Sequence, residues 1–418
     1  MALGRIPRFS PSFGPGEIRA VVPALIGPQD DAGAARRFEA AFSSYIGVKH
    51  AIMVPSARFG FWLLLDAWGF GAGDEILIPA LTYFAIPGMA VTRGCTPVFV
   101  DTERTTYAID PAKIEAAITP RTRAIVPTHL FGGPARMDAV LEVARKHGLK
   151  VIEDCAQATG ARIRGRRVGS FGDAAYYTFG LTKNITTLKG AMVTTDDDAL
   201  AERVRATIAR ATPTPRSALW KEVLTGTAMM VATHPMVYPF ALHPAIRAGN
   251  ALGKDPIHDR FGEPESIEAE VSERYWRAGP TAAQAVVGQA QLDRIEQLNG
   301  ARIRNGRYLD EHLAHVPGLM RPTWSADSEP IFMSYVVQHP RRDDLAKALL
   351  RRGVDTTVGY MTDGSTSPLF AQWNNRSCPE AAQSFRDLLH IPVHPNLAER
   401  DLRHMAEAVR AAAIEIEA

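Results

Sequence analysis

From Val48 onward the chain alternates short apolar runs with longer segments whose apolar residues recur at helical spacing. "HAIMVPS" (50–56) reads as a strand, and "RFGFWLLLDAWGF" (58–70) as a helix closed by Gly71 and Gly73. "DEILIPA" (74–80) and "TPVFVD" (96–101) read as strands on either side of a helix, "YFAIPGMAVTRG" (83–94). The alternation continues through "DPAKIEAAI", "RAIVPTHLFG", "DAVLEVARKHG" and "KVIEDCA". Strands separated by helical stretches of about ten residues predict an α/β fold, a mainly parallel sheet covered on both faces. Ligands of such sheets collect beyond the carboxyl ends of the strands. The pattern loosens between about Arg210 and Arg277. A long amphipathic helix is then predicted from about Thr281 to His315, through "VVGQAQLDRIEQL". The remainder, with "IFMSYVVQHP", "RDDLAKALLRRGVD" and "LLHIPVHP", reads as a smaller C-terminal α+β domain. The expected division is a large domain over 1–277, with 210–270 an extended apolar insert, and a long helix plus small domain over 278–418.

Charge removes some functions from consideration. The 47 basic and 45 acidic residues leave a net charge of +2, and no basic stripe is interleaved with aromatics, so a nucleic-acid partner is not expected. Cys95, Cys155 and Cys378 stand far apart, which indicates neither a disulfide framework nor a zinc knuckle. The opening "MALGRIPRFSPSFGPGE" carries no apolar run of the secretory kind, and a cytoplasmic location is the expectation.

Four residue types at strand ends define the candidate site. Asp154 ends the apolar strand "LKVIED". Lys183 follows about thirty residues later, in a Thr-rich turn between the strand-like runs "AAYYT" and "AMVTT". Ser56 ends "AIMVPS" where a helix begins, and the unpaired N–H groups of a helix start hold phosphate. Tyr83 follows "EILIPALT". A lysine amine, a carboxylate, a phosphate cradle and a flat ring are what pyridoxal phosphate (PLP) needs. The amine forms a Schiff base, the carboxylate keeps the pyridine nitrogen protonated, and the aromatic face packs on the ring. Each residue alone also has an ordinary use: a surface lysine, a helix-capping aspartate, a core tyrosine. Spacing nominates the set without deciding it.

The stretches "GAGDEILIPALTYFA", "GCTPVFVD", "IEAAITPRTRAIVPTHLFG", "VIEDCAQATGARIRGRRVGSFGDAAYYTFGLTKN", "VVGQAQLDRI" and "IPVHPNL" together resemble the DegT family of fold-type-I, PLP-dependent sugar aminotransferases. The resemblance implies Lys183 as the Schiff-base lysine and Asp154 as partner of the pyridinium nitrogen. It places Gln157 beside the ring, Thr178 at the phosphate and Tyr83 stacked on the ring. It implies L-glutamate as amino donor, a keto sugar on a nucleotide as acceptor, and a homodimer with shared active sites. In such a reaction the lysine amine moves the proton as general base and acid.

Three departures from the family pattern stand out. Where a Gly-Thr pair is usual at the start of the phosphate-binding helix, the chain has Ala57 and Arg58. Where an Asn-Tyr-Arg run reaches the partner's phosphate, "YWRAG" places Arg277. Arg58, and Arg277 from the partner subunit, are therefore expected at the cofactor phosphate, or else at the substrate or solvent. After the lysine a Gly-Glu-Gly-Gly run has become "LKGA", Leu188 to Ala191. The segment between "GAMVTT" and "YWRAG" is also unusually long, and Val223–Ile246 holds no Asp, Glu, Lys or Arg. Pro235, Pro239 and Pro244 speak against a membrane-spanning helix there. The segment is either an apolar insert packed on the protein or a subunit interface, or a lid or membrane-surface patch serving a lipid-like or polyketide-like ketone or aldehyde. "GFGAGD" follows a helix and precedes a strand, so it is a turn rather than a dinucleotide fingerprint. His390 and His394 have metal-like spacing around Pro392 but read as structural, as does Cys155.

Overall fold

Runs such as Ile76-Leu77-Ile78 are apolar on both faces, and a strand of that kind persists where helices cover both sides of its sheet. The chain builds such a sheet. The computed structural model describes residues 5–28, 30–252, 266–267, 278–373 and 376–417. The strands of the central sheet are β1 (His50–Val54), β2 (Glu75–Pro79), β3 (Thr96–Val100), β4 (Thr122–Ile125), β5 (Lys150–Asp154), β6 (Ala174–Thr178) and β7 (Ala191–Thr195). They lie in the order β1-β7-β6-β5-β4-β2-β3. β6, β5, β4, β2 and β3 run parallel. β7 is antiparallel to both β6 and β1. Its reversal has a local cause: Phe179–Gly190 links β6 to β7 without the helix a parallel crossover needs.

The longer helices of this part among the described residues are α1 (Pro15–Ile26), α2 (Asp31–Ile46), α3 (Ala57–Ala67), α4 (Ala85–Thr92), α5 (Met137–His147) and α6 (Asp198–Ile208). α3 sets the geometry of the site. Ser56 caps it, its Oγ accepting the Phe59 N–H at 3.2 Å, while Phe61, Leu63, Leu64 and Leu65 are buried. A Cβ on Gly60 would stand 3.0 Å from Val193 and 3.1 Å from Val54. Glycine therefore lets α3 lie close against β1 and β7, with its N-terminus at their common edge. "GFGAGD" is a turn, with Gly69 at φ +75° and Gly73 at φ +90°.

The apolar insert is helical and two-faced. α7 (Arg216–Ala232) buries Leu219 and Val223 against α1 residues Val21 and Leu25, and ends before Pro235. α8 (Leu242–Ala251) packs Ile246 on Tyr238 and Leu350 of the small domain. Leu224, Val231, Met236, Phe240 and Leu252 face outward. No helix among the described residues is long and apolar enough to cross a membrane.

The single helix predicted over 281–315 is two helices, α9 (Ala282–Leu292) and α10 (Ile295–His312). Arg294 leaves helical geometry (φ −115°, ψ 1°), and its guanidinium binds the buried Glu17 at 2.6 Å. Tertiary pairing at that point overrides the helical period. α11 (Arg342–Arg351), α12 (Pro379–Asp387) and α13 (Glu399–Glu417) pack about an antiparallel pair, β8 (Tyr335–Gln338) with β9 (Leu388–Ile391), in the small domain.

Candidate functional site

A cavity of about 230 Å³ opens at the carboxyl ends of the parallel strands. Ser56, Ala57, Arg58, Tyr83, Asp154, Gln157, Thr178 and Lys183 all line it. Of the residues nominated from sequence, Arg277 alone lies outside the described residues. Residues separated by up to 127 positions meet because each follows or ends a strand whose carboxyl end lies on the same side of the sheet. Ser56 follows β1, Tyr83 follows β2, Asp154 ends β5 and Thr178 ends β6.

Asp154 is buried, 4% exposed. Burial pushes its carboxyl above the usual carboxylate range, while the Ala156 N–H, the Tyr176 hydroxyl and the Lys183 charge pull the other way. Its Oδ1 accepts the Ala156 N–H at 2.9 Å. Gln157 is fixed by the Phe131 N–H, which donates to its Oε1 at 3.0 Å. Phe131 holds φ +56° to do so, an uncommon conformation for a bulky residue, and its ring packs edge-on against His390. Tyr83 is half-buried; burial first and the neighbouring Tyr360 second raise its phenol, and Arg58 opposes them. The Tyr83 and Tyr360 rings stack with centroids 6.4 Å apart.

Lys183 Nζ donates to the Tyr360 hydroxyl at 2.9 Å. Sequence reasoning missed Tyr360. It comes from the small domain, at a place where "TTVGYM" carries no recognisable spacing relation to the lysine turn. Met361 was missed for the same reason. Thr128, in "RAIVPTHLFG", and Thr182, beside Lys183, lie in segments whose other residues were read. Ile86, Leu130, Ala156 and Tyr176 also line the cavity. The Thr128 hydroxyl is buried without a hydrogen-bond partner.

The turn carrying Lys183 holds Leu188 at φ +72°. That conformation costs a non-glycine residue about 1–2 kcal/mol. The Leu188 side chain is buried with Phe13, Leu181 and Val287, and losing such a side chain costs about 3–5 kcal/mol. Burial wins. Leu188→Gly is expected to destabilise the protein by about 1–3 kcal/mol, read from urea midpoints, although it relieves the backbone.

His390 and His394 are buried and line different cavities, so their spacing does not join them at one ligand. His390 Nδ1 pairs with the Ser334 hydroxyl at 3.0 Å. Burial lowers both rings to about 3, with Arg342 acting on His390 and Arg302 on His394 in the same direction. Between about 3 and 6.5 the unfolded chain then binds protons that the native chain refuses. Stability is present above that window and is lost as pH falls through it, by about 1.4 kcal/mol per pH unit for each ring. Urea midpoints are expected to fall between pH 7 and pH 5, and His390→Asn to flatten that slope.

His129, Glu153 and Cys155 also bring donor atoms within 4.8 Å of one another. Hydrogen bonding accounts for the group. Glu153 accepts the N–H groups of Gly169, Phe171 and Gly172 and the proton on His129 Nε2, whose Nδ1 accepts from Ala135. The cluster fixes the loop before β6.

The sequence profile of the DegT/DnrJ/EryC1/StrS aminotransferase family matches residues 27–232 and 281–410. The chain belongs to that family. Its members are PLP-dependent transaminases, and this family member is a PLP-dependent aminotransferase. It is 33% identical over 384 residues to GDP-perosamine synthase of Caulobacter vibrioides, covering 89% of this chain and 88% of that protein. It is 31% identical to dTDP-3-amino-3,4,6-trideoxy-alpha-D-glucose transaminase of Streptomyces venezuelae, over 92% and 87% of the two chains. The solved aminotransferase of Psychrobacter cryohalolentis superposes with a TM-score of 0.77 at 28% identity, over 98% of this chain and 100% of that one. The cavity of this family member suits the cofactor. A buried carboxylate at its base has room for a cationic ring N–H, an orphaned Thr128 hydroxyl awaits a partner, and a helix N-terminus with Arg58 offers an anion site.

Proposed function

We propose that this enzyme moves the amino group of L-glutamate onto the keto group of a nucleotide-linked sugar. The observation that carries the sugar reading over a lipid-like or polyketide-like acceptor is the wall of the catalytic cavity. Arg58, Gln157, Thr128, Thr178 and Thr182 set five hydrogen-bonding side chains into it, and none of the described residues between 210 and 252 lines it. The named relatives, two of which make amino sugars, agree.

PLP, when bound, supplies an electron-accepting ring that lets an amino group and a proton be exchanged. Lys183 Nζ takes the proton from the α-carbon of the amino donor and later returns one to the acceptor carbon. The 2.9 Å hydrogen bond to Tyr360 is made by the free amine, so Tyr360 would orient the proton carrier once substrate has released it from the cofactor. Asp154 would hold the ring nitrogen protonated, Tyr83 and Gln157 would pack against the ring, and Ser56, Ala57, Arg58 and Thr178 would bind the phosphate. Arg277 of a second copy joins them in a homodimer; the sedimentation mass of the protein tests that part.

Tyr360→Phe is expected to slow donor exchange in a single turnover about 10–100-fold, the value of a hydrogen bond to a charged group. Cofactor content should stay unchanged and the pH profile of the rate should shift. An unaltered rate and profile would remove Tyr360 from this role. The reading as a whole is tested by the absorbance of the PLP-loaded protein before and after L-glutamate, then after a keto sugar nucleotide. Loss of the lysine-bound band with glutamate, and its return with the keto sugar, is the expected result. A band indifferent to glutamate would overturn the donor, and recovery with hydrophobic ketones alone would overturn the acceptor.

A further inference from the structure

A second and larger cavity, of about 450 Å³, lies beside the catalytic one. That volume falls in the range of small-molecule sites. The N-terminal segment separates the two. Ser10, Ser12 and Phe13 line the larger cavity, while Arg8 and Phe9 line a hollow bordered by Gln157, Thr182 and Tyr360. The outer wall is made by the insert, through Met230, Thr233, His234, Pro235 and Pro239. The family profile stops at 232 and resumes at 281. Most of that wall falls in the stretch that the family profile leaves unmatched.

Two further observations concern what the cavity holds. His394 lines it at 6% exposure; the Pro7 carbonyl acts on its ring, but neither ring nitrogen has a partner in hydrogen-bond geometry. A buried polar group left in that state needs a partner that is not part of the polypeptide. The charge lining is also unbalanced. Arg5, Arg294 and Arg400 face one carboxylate, Asp401. Arg294 is engaged by Glu17 and Arg400 lies 3.8 Å from Asp401. Arg5 donates to the Pro239 carbonyl and has no carboxylate in an ion pair with it among the described residues. The net positive charge faces apolar surface from Ile6, Met230 and Leu397.

We propose that this cavity binds an amphiphilic anion, its single phosphate or carboxylate against Arg5 and His394 and a short apolar body against Ile6, Met230 and Leu397. The ligand is either a soluble metabolite of that chemistry or the head of a lipid, since Met236 and Phe240 of the same insert are exposed. The Ser12 hydroxyl donates to the Lys183 carbonyl at 3.3 Å, so an occupant stands next to the wall that steadies the catalytic turn.

Calorimetric titration of the PLP-loaded enzyme with hexyl phosphate, in phosphate-free buffer, is expected to show one saturable site per chain. Met230→Trp fills the cavity, and Arg400→Glu reverses an exposed charge at its rim. Each is expected to weaken binding at least tenfold. Neither residue lines the catalytic cavity, so unchanged cofactor absorbance certifies that both variants are folded. Absence of saturable binding to the wild type, equal affinity for inorganic phosphate, or unaltered affinity in both variants would overturn the proposal. Sedimentation with phosphatidylcholine vesicles only when they contain phosphatidic acid, lost in Arg400→Glu, would support it and assign a lipid head. Hexyl phosphate binding without vesicle binding would support it and assign a soluble ligand. Heat of binding is read without turnover, so these outcomes are independent of the amino-sugar reading.

Discussion

Lys183→Ala, loaded with PLP, is expected to exchange with L-glutamate about four orders of magnitude more slowly than the wild type. A positioned acid–base group contributes up to about that factor, and on the proposed reading the same amine is also the covalent anchor. Rapid mixing with glutamate, followed at the cofactor absorbance, measures the rate. A desalting column measures the second consequence, since the variant should release its cofactor where the wild type retains it. The control is in the same turn. Lys189 pairs with Glu222 at 2.7 Å and does not line the catalytic cavity, so Lys189→Ala should keep the exchange rate. Retained exchange in Lys183→Ala, with loss in Lys189→Ala, would reassign the amine.

Asp154→Asn is expected to lower the single-turnover rate by about two to four orders of magnitude. Removing one partner of a buried charge pair costs about 3–5 kcal/mol, and each decade of rate is about 1.4 kcal/mol. The same substitution should act oppositely on the cofactor-free protein. Burial raises the Asp154 carboxyl above its unfolded value, so its stabilising contribution exists at acid pH and is lost as pH rises through the folded value. At neutral pH the burial of this carboxyl therefore weighs against the native state, and the amide relieves it. The apoenzyme melting temperature should rise at neutral pH while catalysis collapses. A fall in apoenzyme stability together with normal catalysis would make Asp154 a structural residue.

The two substitutions also show where legibility begins and ends. Asp154 was readable because it terminates an apolar strand, and a polar side chain at such an end has the cleft as its one exit. Ser56 was readable because helix capping has a residue signature. Lys183 was readable as a lysine between two strands, yet composition does not separate it from Lys189; the salt bridge to Glu222 does. Tyr360 was not readable. It lies 177 residues beyond the lysine it contacts, and no local period encodes that meeting. The break between α9 and α10 was hidden likewise, because it depends on Arg294 reaching Glu17, 277 residues earlier.

By itself the sequence determined the alternation of strands and helices, the strand-end positions of the site residues, and membership of an aminotransferase family through its motifs. These depend on side-chain period and on short-range residue order, which are written along the chain. The tertiary structure alone decided that β7 runs backwards, that Tyr360 meets the lysine, and that the described part of the apolar insert walls a second cavity rather than the catalytic one. Those facts follow from which distant surfaces pack together. An apolar residue such as Met230 looks the same in sequence whether it fills a core, faces water or lines a cavity for something else.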